Sequence, residues 1–373
     1  MTRDNEPLDL DTVLALFRRV QSGAPTDPRA RLLEDVARSG KMRSEGEMNA
    51  AKAALFEAWR SEPPRRCLAP AKPPCGKPPI ASHSVQRGVA LATIADSSQH
   101  VIAFPARLTL DEPKATAKKL GINKASTFVA LCGDHDTSIF RPIDTGALSH
   151  PTEEQLFLFS YRSMLKELHV VERKYELHKR QARYIASDKG ASKEAQTVAI
   201  MTAYTSYLHY HKMEGIKHVY DRALLTKRYT APFRYFYRRL TTSAFAVGGF
   251  FAPAQDFGGS PIPQLGPDYP PPFMTLEVAP DSTGSLVSIG VPLGFETQLK
   301  PLVDRLESTT SEDLFLDLVW LLALRCCENI FIAPRAWSVL SIRKKQRIER
   351  FFNVTTLGRW APMTPLAVSL REP

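Results

Sequence analysis

Seven of the eighteen residues from Glu62 to Pro79 are proline, and two more are cysteine, Cys67 and Cys75. Proline lacks a backbone N–H and fixes φ, so this run excludes helix or central strand and forces a stiff, extended path. Thiols placed on such a path predict a centre for the chain to fold around. Further on, Cys132-Gly-Asp-His135 supplies a second, closely spaced pair. A structural zinc ion needs four sulfur or imidazole ligands in a tetrahedron, usually as two pairs separated by a longer loop. The expected ligands of Zn²⁺ are therefore Cys67, Cys75, Cys132 and His135. His83, eight residues after Cys75, is the alternative to Cys67. Glycine follows both Cys75 and Cys132, which is expected to let backbone N–H groups turn toward the sulfurs.

The remaining cysteines, Cys326 and Cys327, end the apolar run from Leu314. Five cysteines in 373 residues do not make a disulfide scaffold, and an adjacent pair in an apolar run reads as packing. That run is broken by Asp317 and Arg325 and is shorter than the ~20 residues needed to cross a bilayer, so a buried core helix is expected. The first residues lack the basic start and apolar run of a signal peptide. The cytoplasm is the expected location, with no membrane partner.

Periodicity and punctuation predict an α+β protein in three parts. Residues 1–61 read as a helical leader, 62–150 as a small zinc-stabilised unit, and 151–373 as a larger domain of long helices with a small antiparallel sheet. In the middle part, Val85–Ile94 suits a short helix, Val101–Leu110 a strand interrupted at Pro105, and Ser126–Leu131 a strand leading into Cys132. Thr152-Glu-Glu-Gln caps a long helix. Gly190 breaks it, a second helix covers about Lys193 to Gly215, and a shorter one reaches Leu225. Strands are expected at Ser243–Phe251, Met274–Val278 and Leu286–Val291, the last two joined as a hairpin through Asp281-Ser-Thr-Gly-Ser. Helices follow at Ser311–Cys327 and Ser338–Phe352.

The net charge of +10 is unevenly placed. Tyr161 to Arg239 holds 17 Lys or Arg against 7 Asp or Glu, an excess equal to that of the whole chain, together with 10 of its 11 tyrosines. Cations suit a phosphate backbone and aromatic faces suit bases, so nucleic acid, DNA or RNA, is the expected partner, with Lys179, Arg180 and Arg183 as contacts. The competing expectation is a long helix pair with solvated cations and half-buried tyrosines.

Residues 67 to 144 resemble HNH-type nucleases of the treble-clef, ββα-metal kind. Such proteins carry a structural cysteine pair, a histidine base near the end of the first strand, an asparagine, and a second cysteine pair beside a catalytic-metal ligand. The matching positions are His83, Asn123 and Asp136, which follows His135. The resemblance implies phosphodiester hydrolysis, with His83 taking a proton from water and a Mg²⁺-type ion near Asp136 steadying the leaving oxygen. The chain departs from the pattern in its wide first pair, in Ser82 where such nucleases have an acid, in His135 where they have cysteine, and in its long insert. Ile122-Asn-Lys-Ala-Ser-Thr-Phe, Cys132-x-x-His-Asp and Phe140-x-Pro-Ile-Asp144 also resemble a set of uncharacterised bacterial proteins, which fixes no function.

Residue types alone leave His83 as base, ligand or loop cap, and leave Asp136 as a helix N-terminal acid suited to the dipole. His209 and His211, two apart on a helix, cannot share an ion. No Walker loop, Rossmann fingerprint or Gly-x-Ser-x-Gly elbow is present. The alternative to a nuclease is a non-enzymatic zinc-stabilised module that binds nucleic acid or a protein.

Overall fold

The computed structural model describes residues 66–71, 73–108, 113–187, 193–242, 244–265, 270–356 and 363–371. The leader expected over 1–61 lies outside the described residues. Within them the protein is mixed α+β.

The proline-rich segment leads into β1 (Ala81–His83), a π-helical turn at Arg87–Leu91 and the single helical turn α1 (Ala92–Ile94). Four short strands follow: β2 (His100–Ala103), β3 (Ala106–Leu108), β4 (Pro113–Ala115) and β5 (Lys118–Gly121). Next come β6 (Thr127–Val129), α2 (Gly133–Asp144), and the long helices α3 (Glu153–Ser187) and α4 (Lys193–Thr226). The remaining elements are β7 (Phe233–Leu240), β8 (Phe245–Phe251), β9 (Met274–Asp281), β10 (Gly284–Pro292), α5 (Glu296–Glu307), α6 (Glu312–Cys326), β11 (Ile330–Ile332), α7 (Pro334–Ser338), α8 (Ile342–Thr356) and α9 (Pro365–Val368).

The expected hairpin is β9–β10, paired Val287 with Val278. Its turn closes on Gly284, whose φ of +140° is open to glycine and whose absent Cβ would meet the Leu240 carbonyl oxygen at 1.9 Å. The sheet expected to be small is instead seven-stranded, in the order β5-β2-β11-β8-β9-β10-β7, antiparallel throughout. Its extra strands come from both ends of the described chain. β11 bridges β8 and β2, and no local pattern announces a pairing between residues 102 and 332.

The middle of this sheet is buried on both faces. On β9, Thr275 and Glu277 share one face because side chains alternate along a strand. Both meet α3: Thr275 Oγ1 lies 2.7 Å from Ser160 Oγ, and Ser163 Oγ donates to Glu277 Oε2 at 3.4 Å. Val247 pairs with Val278 on the opposite face, where the Phe245 ring packs at a tilt, 4.9 Å from that of Trp320 of α6. Helices thus cover both faces. The apolar run places Phe315 to Leu324 wholly inside, as a core helix should, with Ser311 capping its start through Leu314 N–H. Cys327 packs against β8 so closely that a Cβ on Gly249 would sit 2.3 Å from its sulfur.

Thr152 and Gln155 form the expected reciprocal cap of α3: Gln155 N–H donates to Thr152 Oγ1 and Thr152 N–H to Gln155 Oε1. The second and third helices expected around Gly215 are one, α4. A mid-helix glycine costs only about 1 kcal/mol, which the rest of a 34-residue helix absorbs.

The described chain forms two compact units, one containing Leu168–Ile216 and the other containing the segments up to Glu167 and from Lys217 onward. In the first, Tyr175 stacks on Tyr210 at 5.4 Å and packs with Ala182, Ile200 and Ala203. In the second, Tyr161 and Tyr220 are fully buried and stacked. These tyrosines serve as core.

Candidate metal centre

β1 and β6 form a two-stranded antiparallel ribbon that pairs Ala81 with Val129, Ser82 with Phe128 and His83 with Thr127. The proline-rich segment is clipped to the end of β6: Leu68 N–H donates to the Ala130 carbonyl and Ile80 N–H to that of Leu131. This brings Cys67 and Cys75 to Cys132, which is the N-cap residue of α2. His135 sits in the first helical turn.

The four expected ligand atoms converge, all within 4.8 Å of one another. Cys75 and Cys132 sulfurs are 3.8 Å apart, and His135 Nδ1 lies 3.3 Å from Cys132 Sγ and 3.5 Å from Cys67 Sγ. A tetrahedron with Zn–S near 2.3 Å and Zn–N near 2.0–2.1 Å has S···S edges of about 3.8 Å and S···N edges of about 3.5 Å. These three edges match, and the other three lie within 4.8 Å. Cys67, Cys75, Cys132 and His135 can therefore hold a structural zinc ion. Among the described residues this is the one group of three or more such ligands that converge. His83 stands outside it.

The Cys132 sulfur is the one prepared for a cation. Burial alone would push the Cys132 thiol up, but the N–H groups of His135 and Asp134 at the helix start, with the Cys67 and Cys75 thiols, outweigh it and hold it below its ordinary value. Burial raises the Cys67 thiol, despite the Cys132 N–H that donates to its sulfur at 3.2 Å. Gly133 serves no conformational purpose: its φ is ordinary and a Cβ there would touch only Ile80, at 3.7 Å. The N–H groups turn toward sulfur because a helix starts there. Lys77 pairs with Asp134 at the surface.

His83 lies at the end of β1, half-buried. Its Nδ1 lies 2.8 Å from the Ala125 carbonyl oxygen. A carbonyl accepts, so Nδ1 carries the hydrogen and Nε2 presents its lone pair. Burial, then the charges of Arg87 and Arg162, lower its pKa below 6.5, against the Ala125 bond and the Asp136 charge. Asp136 stands in the first turn of α2 with Oδ1 buried and unpartnered. Burial raises its carboxyl pKa, opposed first by the Arg162 charge and then by the Ser82 hydroxyl, which lies beside it but outside good hydrogen-bonding geometry. Asn123 does not touch His83; its Oδ1 accepts from Arg87 Nη1 at 3.1 Å.

Sequence reasoning missed Arg162. Its guanidinium forms a bidentate pair with Asp144 at 2.9 and 2.8 Å, lies 4.1 Å from the centre of the Phe140 ring, and is almost fully buried. It ties the end of α2 to α3, and its charge reaches His83, Asp136 and the buried Glu277, whose carboxyl is raised well above its ordinary value by burial. The available signal was a lone arginine inside the apolar run Leu156–Leu165. Of the expected nucleic-acid contacts, Lys179 is buried, committed to Glu176 and the Tyr175 ring, while Arg180 and Arg183 are half-buried. His211 is exposed on α4, beside Glu214. No helix among the described residues is long and apolar enough to cross a membrane.

Comparison with protein-family models, with curated proteins and with solved structures finds no match to this chain.

Proposed function

We propose that the β1–β6–α2 unit is an HNH-like, treble-clef phosphodiesterase centre and that the protein cuts nucleic acid. One observation carries the reading. A histidine at the end of the first strand has Nδ1 tied to a carbonyl, and it lies within electrostatic reach of a carboxyl group with one buried, unpartnered oxygen, on the helix that the Cys–His cluster anchors. That order of strand, strand and helix is the order of the family resembled.

In this reading zinc is structural. Four protein ligands fill its tetrahedron and leave no open position for water, so its contribution is to fix the start of α2. His83 Nε2, neutral at pH 7, accepts a proton of a water molecule as the water oxygen bonds to phosphorus; the P–O bond to the leaving sugar oxygen breaks, and that oxygen takes a proton from solvent. Asp136 is a single carboxylate without a converging set of further ligands, so it forms no preassembled Mg²⁺ cage and no step is routed through that ion. Arg180 and Arg183, in the unit of Leu168–Ile216, are separate candidates for phosphate-backbone contact.

The test is His83→Ala in the full chain. Loss of at least 100-fold of plasmid-nicking activity with unchanged zinc content and fold supports the base. Loss of zinc together with fold makes His83 a structural residue and overturns the assignment. The second reading, a zinc-stabilised binding module, is favoured by the Arg162–Asp144 pair, which braces α2 with no need of a substrate. It predicts nucleic-acid binding without cutting under any divalent cation.

A further inference from the structure

Two residues of one turn hold His83 and Arg87. The Ala125 carbonyl takes the His83 ring N–H, and two positions earlier the Asn123 side-chain oxygen takes an N–H of Arg87. Between these rungs the two segments are zipped together. Ser84 N–H and its hydroxyl both donate to the Ser126 carbonyl at 3.0 Å. The Ser126 hydroxyl accepts from Val85 N–H at 3.1 Å and donates to the Val85 carbonyl at 3.0 Å.

This ladder sustains unusual backbone on both sides. Ser126 holds φ of +57°, in the left-handed region, which costs a non-glycine residue of order 1 kcal/mol and persists only where surroundings over-determine it. Across from it the chain enters a π turn at Arg87, a rare form that is frequent at functional sites. The outcome is an exposed guanidinium held in place by an amide oxygen. Among the described residues no carboxylate pairs with it, so its charge remains available. That charge is felt at His83.

We infer that Arg87 and His83 form one binding site for a phosphate oxyanion, with Arg87 clamping a phosphodiester and Asn123 fixing the plane of its guanidinium. The inference rests on the proposed nuclease reading and names the substrate-holding residue of that same site. A planar guanidinium matches two phosphate oxygens, and a pre-fixed one loses little freedom on binding. It also gives Asn123 a role the resemblance left unstated: a positioning residue that acts on Arg87 and does not contact the histidine.

The experiment uses zinc-loaded full-length protein with histidine rings isotopically labelled, and His83→Ala to assign the His83 resonance. Inorganic phosphate and a short DNA duplex are titrated separately. The charged groups facing His83 are Arg87 from the π turn, Arg162 from α3 and Asp136 from α2. Neutralising Arg87 with a bound anion should therefore raise the His83 midpoint. The expected result is a duplex-induced shift of His83, weakened about 10-fold or more in Arg87→Gln, less in Arg87→Lys, and several-fold in Asn123→Ala. Arg87→Gln should also raise the His83 midpoint without ligand, which loss of a merely structural contact would not do. Saturation by phosphate alone at similar concentration assigns a free anion as the ligand, and preference for duplex assigns a phosphodiester. Unchanged affinity and midpoint in Arg87→Gln overturn the clamp, even if the protein cuts. Arg87-dependent binding in a protein that never cuts leaves the clamp standing and removes the nuclease reading instead.

Discussion

Cys75 Sγ and Cys132 Sγ stand 3.8 Å apart, the edge length of a zinc tetrahedron, although 57 residues separate them in the chain. Two thiols at that distance can share only a weak S–H···S hydrogen bond, whereas a cation between them and the two further ligands would hold all four in place. Protein purified in metal-free buffer should carry about one zinc per chain, and Cys132→Ser should lose it. Because binding free energy of a structural zinc is folding free energy, chelation should melt β1, β6 and α2 first. Elemental analysis with hydrogen exchange reads both. Well-folded protein without zinc would defeat the site.

His83 has its pKa lowered in the folded chain, chiefly by burial. Its neutral form is favoured, so the stability it contributes is fully present above pH 6.5 and is lost as pH falls toward the folded value. Nuclease activity should likewise be level near pH 7 and fall on the acid side with a midpoint below 6.5. A midpoint above it would mean another group is the base.

Arg162→Met removes one partner of a pair whose arginine side is buried. Breaking such a pair costs about 3–5 kcal/mol when both charges are buried, and Asp144 is 33% exposed, so the low end is expected. Urea denaturation should show it. Arg162→Met combined with Asp144→Leu should recover part of the loss, since no uncompensated charge remains. No recovery would mean that Arg162 serves Asp136 or Glu277 more than Asp144.

Lys179 and its neighbours should separate in salt titrations of nucleic-acid binding. Each phosphate contact contributes about 0.9 to the slope of log affinity against log salt. Arg180→Gln with Arg183→Gln should flatten it by up to ~2. Lys179→Met should leave the slope alone and lower stability, because its ammonium already serves Glu176 and the Tyr175 ring. An equal loss of slope from Lys179→Met would show that the ammonium leaves those partners on binding.

The parts legible in the sequence were those whose physics is local. The spacing of Cys132 and His135 needs one helical turn, the Thr152–Gln155 cap needs four residues, and the β9–β10 hairpin needs its turn. Cys67 and Cys75 were legible because proline left their segment few paths. The rest depended on pairings with no local signature. The order of the sheet rests on β11 finding β2, and Arg162 meets Asp144 only because α3 lies where the sheet face puts it. Asn123 was expected among the catalytic residues by resemblance, but the turn that carries it sets the Ala125 carbonyl against His83 and uses the Asn123 side chain on Arg87. The continuity of α4 through Gly215 was lost because a glycine was read as punctuation, where the helix on either side decides. No sequence expectation covered α5, whose Pro301 masks its periodicity.

β2 and β5 close one end of the main sheet, yet they are encoded between the two halves of the Cys–His cluster. The cluster is therefore not a cassette. Excising residues 62–150 for expression or transplantation would strip two strands from the sheet and bare β11, three fully buried residues, as a new sticky edge. For recombination between related genes the same arrangement acts as a lock. A crossover inside the loop would have to supply a partner for the Cys–His cluster and a sheet edge at once.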